Sequence, residues 1–237
     1  MLIGSTITHV TKSKWLRIGA GWLLPAIVLV FSTVVSPTTA AVIKREATLI
    51  QVIGQIPVKG RAPKTGYSRA QFGQRWADAD HNGCDTRNDI LKRDLMGIVF
   101  KVKTRNCVVL SGVLHDPYSG SDINFLRGNI TSMAVQIDHV VALSNAWQTG
   151  AFKLTIAERT LLANDPLNLL TVQGRLNSQK GDGDAATWLP PLKSYRCAYV
   201  ARQVAVKSKY RLWLTKPEKT VILSILSKCP SQALPVK

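Results

Sequence analysis

Two short stretches carry residue types that could do chemistry together. The first is QIDHVVALSNAW, residues 136–147, with Asp138 and His139 side by side. The second is DPLNLLTVQGRLNSQKGDG, residues 165–183, with Asn168, Asn177 and Lys180 set into otherwise apolar or small-residue surroundings. Cleaving a phosphodiester requires a base for the attacking water and positive charge for the phosphate and leaving oxygens. A histidine with an ordinary pKa of about 6.5 is mostly neutral at pH 7 and suits the first task. Such a base contributes roughly 10²–10⁴-fold in rate. A divalent cation suits the second task. A hard cation such as Mg²⁺ keeps several waters, so one carboxylate and one amide oxygen suffice as protein ligands. Asp138 and Asn177 offer that pair, His139 offers the base, Asn168 can pin a loop through its amide, and Lys180 can approach a phosphate.

These residues need elements that hold them. Neighbours on a strand face opposite sides, so a strand reaching Asp138-His139 must end or twist there. Ser144 to Trp147 reads as a helical turn. Leu169 to Val172 reads as a second strand and Asn177 as the start of a short helix. The predicted unit is strand, loop, strand, helix, with the metal between helix and hairpin.

The blocks IDHVVAL, PLNLLTV and LNSQKGD resemble the three blocks of HNH endonucleases, the ββα-metal nucleases. The resemblance implies His139 as general base, Asp138 and Asn177 as metal ligands, and Asn168 as organiser. Asn177 stands where the family name has His, a substitution that goes with Mg²⁺, with Mn²⁺ as the alternative. CDTRNDIL, DPYSG, ANDPLNLL and RCAYVARQ extend the likeness across roughly residues 57–229. They point to a branch of exported proteins similar to the nuclease domain of modification-dependent restriction enzymes. The implied fold is α+β: a ββα-metal core, a hairpin and helix region before it, and helices after it.

The remaining chain bounds this reading. A formal charge of +17 favours polyanionic partners, and with the resemblance that means DNA, held mainly through its phosphates, with RNA also possible. The alternative is a non-catalytic binder of nucleic acid or anionic polymer on an HNH scaffold. Residues 1–41 have a charged start, an apolar middle and a small-residue exit, as a secretory signal does. That predicts a secreted protein, or one anchored in a membrane and facing outward if the segment is retained. Four cysteines in an exported chain predict two disulfides; three connectivities are open, and Cys84–Cys107 with Cys197–Cys229 is favoured because each bridge joins neighbouring elements. Residues 42–66 read as an arm ahead of a nuclease domain at 67–237.

Further expectations are local. Ser68 and Gln71 have capping-box spacing for a helix reaching Trp76. Asp78, Asp80, Asn82, Gly83 and Asp89 match a calcium-loop pattern, with an Asx-rich turn as the alternative. Asn88 to Gly97 reads as a helix burying Ile90, Leu91, Leu95 and Met96. Residues 98–102 and 107–112 read as a hairpin, and Ile123 to Phe125 as a short strand. Arg127 is a candidate phosphate contact, and His115 reads as structural. Asp184 predicts a helix ending at Pro190. Ser194 to Tyr210, and a capped segment from Thr215 to Cys229, predict two longer helices.

Overall fold

The computed structural model describes residues 49–235. The leader expected at 1–41 lies outside the described residues, within which no helix is long and apolar enough to cross a membrane. The fold is mixed α+β with both predicted disulfides, Cys84–Cys107 and Cys197–Cys229.

Helix α1, Thr86–Asp94, starts at Asp85, whose carboxylate accepts from the Asn88 N–H at 2.8 Å. It hands over directly to strand β1, Leu95–Phe100, which pairs with β2, Val109–His115, and β2 with β3, Asp122–Leu126. The expected helix over 88–97 is therefore two elements. Leu95 and Met96 pair with Leu114 and Val113, and Met96 faces solvent. Sheet hydrogen bonds override a helical apolar pattern that lacks a helical stop signal.

A second, two-stranded sheet positions the site. Strand β4, Val135–His139, ends at the His139 where the reading required it to end, and runs antiparallel to β5, Leu169–Gln173. Asp138 lies opposite Leu170 and His139 opposite Leu169. Between them come α2, Leu143–Gln148, and α3, Ile156–Asn164, the latter opened by a Thr155/Glu158 capping box. Helix α4, Gly174–Lys180, follows β5 without a linker, so Asn177 sits in its middle rather than at its start. Helices α5, Arg196–Lys209, and α6, Lys216–Leu226, close the domain; α6 has the predicted Thr215/Glu218 box with Pro217 in its first turn.

Three apolar clusters hold these layers. One gathers Tyr118, Val140, Leu170, Leu176, Tyr199 and Ile222, fixing β4, β5 and α4 against α5 and α6. Leu49, Ile53 and Ile56 of the helical segment 49–55 and the bend after it join this cluster. Residues 49–56 thus pack into the body, and the mostly exposed stretch after them is tied to it by Val58 pairing with Leu214 and by the Ala62 N–H bonding the Gln148 carbonyl at 2.8 Å. Arg61 pairs with Asp184 at 2.7 Å and Lys64 with Asp182 at 3.1 Å.

Two predicted helices are absent. Ser68 makes no capping bond, and residues Arg69–Phe72 form one 3₁₀ turn. Gly73 ends it at φ +69°, where a Cβ would fall 1.9 Å from Thr160 Oγ1 of α3. Asp184 heads a turn, its carboxylate drawn to Arg61 and to the Ala186 N–H.

Candidate functional site

The end of β4, the middle of α4 and the turns before α1 enclose a cleft of about 920 Å³. Asp138, His139 and Asn177 all line it.

His139 is 7% exposed and its Nε2 lies 2.9 Å from the Ala163 carbonyl oxygen. Only an N–H can bond a carbonyl, so Nε2 carries the hydrogen and Nδ1 is left as the basic nitrogen. The ordinary pKa expected of His139 is not what the fold gives it: burial pushes the imidazole down to about 3, the charge of Arg69 adds to this, and the bond to Ala163 opposes it. Trp76 stacks on the ring, with centroids 6.2 Å apart and planes 15° from parallel, and Trp76 itself has φ +57°. That left-handed backbone is unusual for a bulky residue and aims the indole at the imidazole.

Asn168 is fully buried. Its Oδ1 accepts from the Val141 N–H at 2.8 Å, its Nδ2 donates to the Val141 carbonyl at 3.3 Å, and its own carbonyl accepts from Val140 N–H at 2.8 Å. The chain after His139 is thereby tied to the chain before β5.

Asp138 is 4% exposed. Tyr118 donates its hydroxyl to Oδ2 at 2.6 Å and Lys180 its ammonium to Oδ1 at 2.8 Å. The Lys180 Nζ also donates to the His139 carbonyl at 2.7 Å. The expectation that Lys180 approaches a phosphate is not met. Its side chain is turned inward, because a carboxylate and a carbonyl there would otherwise be buried without a donor. Tyr118 is held protonated by burial and by the neighbouring Asp138 charge, which push its pKa well up. It comes from the DPYSG turn, which Asp116 locks to β5 by accepting from the Gln173 N–H at 2.9 Å.

Asn177 donates Nδ2 to Gln136 Oε1 at 2.9 Å, and Gln136 donates Nε2 to the Met133 carbonyl at 3.4 Å. This relay fixes the amide orientation and leaves Asn177 Oδ1 without a donor among the described residues. Each Asp138 oxygen has a second lone pair. A carboxylate and an amide oxygen are the donor types that a hard, largely hydrated cation takes. Among the described residues no cluster of three or more His, Cys, Asp or Glu side chains offers a denser metal site. In the 78–89 loop, Asp78 and Asp80 accept from the N–H groups of Asn82 and Gly83, and Asp89 from the Asn82 amide. These are the hydrogen bonds of an Asx-rich turn, with Asp78, Asp80 and Asp89 gathered around Asn82.

Four cations line the cleft that no motif announced: Lys64, Arg69, Arg75 and Arg87. The three arginines have no carboxylate partner among the described residues. Partial burial lowers the pKa of Arg69 and Arg87, helped by the charge of Arg75 at Arg69 and by those of Arg127 and Arg75 at Arg87. Arg75 also lies over the Trp76 ring at 5.5 Å. Arg127 plays no such part: it donates to Asn88 Oδ1 and the Val109 carbonyl. His115 pairs with Asp122 at 2.8 Å on the surface.

Residues 85–225 match a family described as GmrSD restriction endonucleases, C-terminal domain. The chain belongs to that family. A protein of Arthroderma benhamiae (strain ATCC MYA-4681 / CBS 112371) named "Uncharacterized secreted protein" is 35% identical over 204 residues, which is 85% of this chain and 95% of that protein. Membership in a family of restriction endonucleases supports a nuclease-like function and a nucleic-acid partner. A secreted relative and two disulfides are consistent with an extracellular location. The matched span holds α1 through most of α6, and with them Asp138, His139, Asn168, Asn177, Lys180 and Arg87. Lys64, Arg69, Arg75 and Trp76 precede it, so the GmrSD-type span supplies the basic nitrogen while most of the cationic wall comes from ahead of it.

Proposed function

We propose that this chain is an exported, metal-dependent endonuclease that hydrolyses phosphodiester bonds of DNA, with an HNH-type ββα-metal arrangement formed by β4, β5 and α4. The observation that carries this reading is the tautomer of His139. Its Nε2–H is committed to the Ala163 carbonyl, and its basic Nδ1 belongs to a ring that lines a cleft with unpaired arginines.

Arg69, Arg75 and Arg87 draw the phosphates of a strand into the cleft. His139 Nδ1 takes the proton of the attacking water, and the Ala163 carbonyl stabilises the imidazolium that results. Asn168 keeps the His139 loop in place, and Lys180 with Tyr118 keeps the Asp138 carboxylate in place. Asp138 and Asn177 would hold the cation, Mg²⁺ or Mn²⁺, which would supply positive charge for the phosphate and leaving oxygens.

Nicking of supercoiled plasmid with Mg²⁺ or Mn²⁺ tests this, with EDTA and His139→Ala as controls. Cutting that needs both metal and His139 is the expected result; equal cutting by the variant removes His139 as base. A second reading has one observation in its favour, that both Asp138 oxygens already accept hydrogen bonds. Under it the chain binds nucleic acid without cutting, and retarded but intact plasmid, indifferent to EDTA, would establish it.

A further inference from the structure

An apolar tip adjoins the cleft. Ile130 is 85% exposed and Met133 62% exposed, although both belong to a short turn rather than a loose loop. Residues Thr131–Met133 form a 3₁₀ turn in which the Met133 N–H bonds the Ile130 carbonyl at 3.0 Å. Positions three apart eclipse in this geometry, so the two side chains share one face. Ser132 and Met133 line the same cleft as His139.

The turn is mounted on the catalytic unit. Gly174 N–H, at the start of α4, donates to the Ala134 carbonyl at 2.9 Å. A Cβ on Gly174 would stand 1.9 Å from the Met133 carbonyl, so only glycine permits this approach. The Met133 carbonyl also accepts from Gln136, whose Oε1 holds Asn177. On the other side, Ser132 N–H bonds the Gly128 carbonyl at 3.2 Å and Gly128 N–H bonds Ser132 Oγ at 3.1 Å. An apolar pair held in water by this much backbone bonding is a tool rather than a slack loop.

We infer that the Ile130–Met133 turn is a wedge that enters the groove of double-stranded DNA and bends it at the point of cleavage. The inference rests on the nuclease reading above. Duplex DNA is the occupant because Met133 of the tip lines the same cleft as Arg69, Arg75 and Arg87. Apolar side chains of this kind unstack base steps while flanking cations hold the backbone, kinking the duplex by roughly 20–90°. The bend brings a phosphate, otherwise on the outside of a stiff rod, down to the cleft floor. Single strands need no bending, so the wedge sets a preference for duplex.

The test uses the full chain with a short duplex carrying a dye at each end, read by energy transfer in EDTA, alongside cleavage of duplex and single-stranded substrates in Mg²⁺. Wild-type protein should raise energy transfer. Ile130→Ser with Met133→Ser should abolish that rise and lower duplex cleavage on the order of tenfold relative to single-strand cleavage. Ile130→Leu with Met133→Leu should retain both, and unchanged thermal unfolding excludes a folding defect. An unbent duplex with wild-type protein, or equal loss on duplex and single strand, overturns the wedge. So does serine-variant bending equal to wild type, or a loss confined to binding of anionic vesicles. Bending without cleavage by wild type would instead sink the nuclease reading and leave the wedge standing.

Discussion

Two buried lysine–carboxylate pairs sit in this domain, and they do different things with the same chemistry. Lys207 and Glu218 join α5 to α6, with Nζ 2.7 and 2.8 Å from the two carboxylate oxygens; Nζ also donates to the Trp213 carbonyl at 3.2 Å. Burial lowers the Lys207 pKa and raises that of Glu218, and each partner opposes the other's shift. Glu218 is fully buried and closes the capping box of α6. Lys180 and Asp138 join α4 to β4, but Asp138 also reaches the cleft and its neighbour is His139. The first pair is spent on scaffold. The second holds a cleft carboxylate and, through the His139 carbonyl, the backbone of the proposed base. A buried ion pair is weak evidence for stability as such, because desolvation offsets much of the attraction. Its use lies in the geometry it enforces, and only its position says which geometry matters.

The largest effect should fall on the residue that the site pair supports. His139→Ala should lower plasmid cutting by roughly 10²–10⁴-fold while duplex binding persists. A comparable loss per folded molecule in any Lys207 variant would erase the contrast. Next, Lys180→Met and Lys207→Met should each cost about 3–5 kcal/mol in denaturant unfolding, since each strands a buried carboxylate. Well below their midpoints, only Lys180→Met should also lose more than about tenfold in cutting rate. Normal cutting by folded Lys180→Met would reduce the site pair to scaffold. Replacing Cys197 and Cys229 together by serine, which unties α5 from the chain after α6, should cost about 2–4 kcal/mol and leave the specific rate alone.

The smallest effect is in pH. The folded His139 ring stays neutral down to about pH 3, whereas in the unfolded chain it takes up a proton below about pH 6.5. The unfolded state then binds more protons, so stability falls as the solution is acidified through that window. The slope is up to about 1.4 kcal/mol per pH unit from this ring. Metal-free unfolding curves between pH 6.5 and 5 should show that slope in wild type and lose it in His139→Gln. An identical slope in both would place the titrating group elsewhere.

The strand, strand and helix around Asp138, Asn168 and Asn177 were legible because each is a local pattern. Apolar runs of strand length were interrupted by polar residues whose chemistry had no other use. Both disulfides and the Thr215 capping box were legible for the same reason. Lys180 was found but given the wrong direction, since nothing local says that a lysine at the end of α4 turns under β4. The cationic wall was not legible at all. Arg69, Arg75 and Arg87 stand among many basic residues, and no spacing rule separates those lining a cleft from those on open surface. The nearest clue was the glycine at position 73, whose positive φ brings the 69–76 turns onto α3.

Sequence alone settled the chemistry available: an imidazole, a carboxylate and two amides, carried by short segments whose alternation and caps encode strand and helix. Tertiary structure decided which groups meet. It put Tyr118 and Lys180 on the two oxygens of Asp138, chose the tautomer of His139 through the Ala163 carbonyl, and brought arginines from ahead of α1 to the same cleft. Local hydrogen bonding and hydrophobic period act over a few residues, so they can be read along the chain. Burial and Coulomb interaction act through space and exist only once the chain has closed on itself.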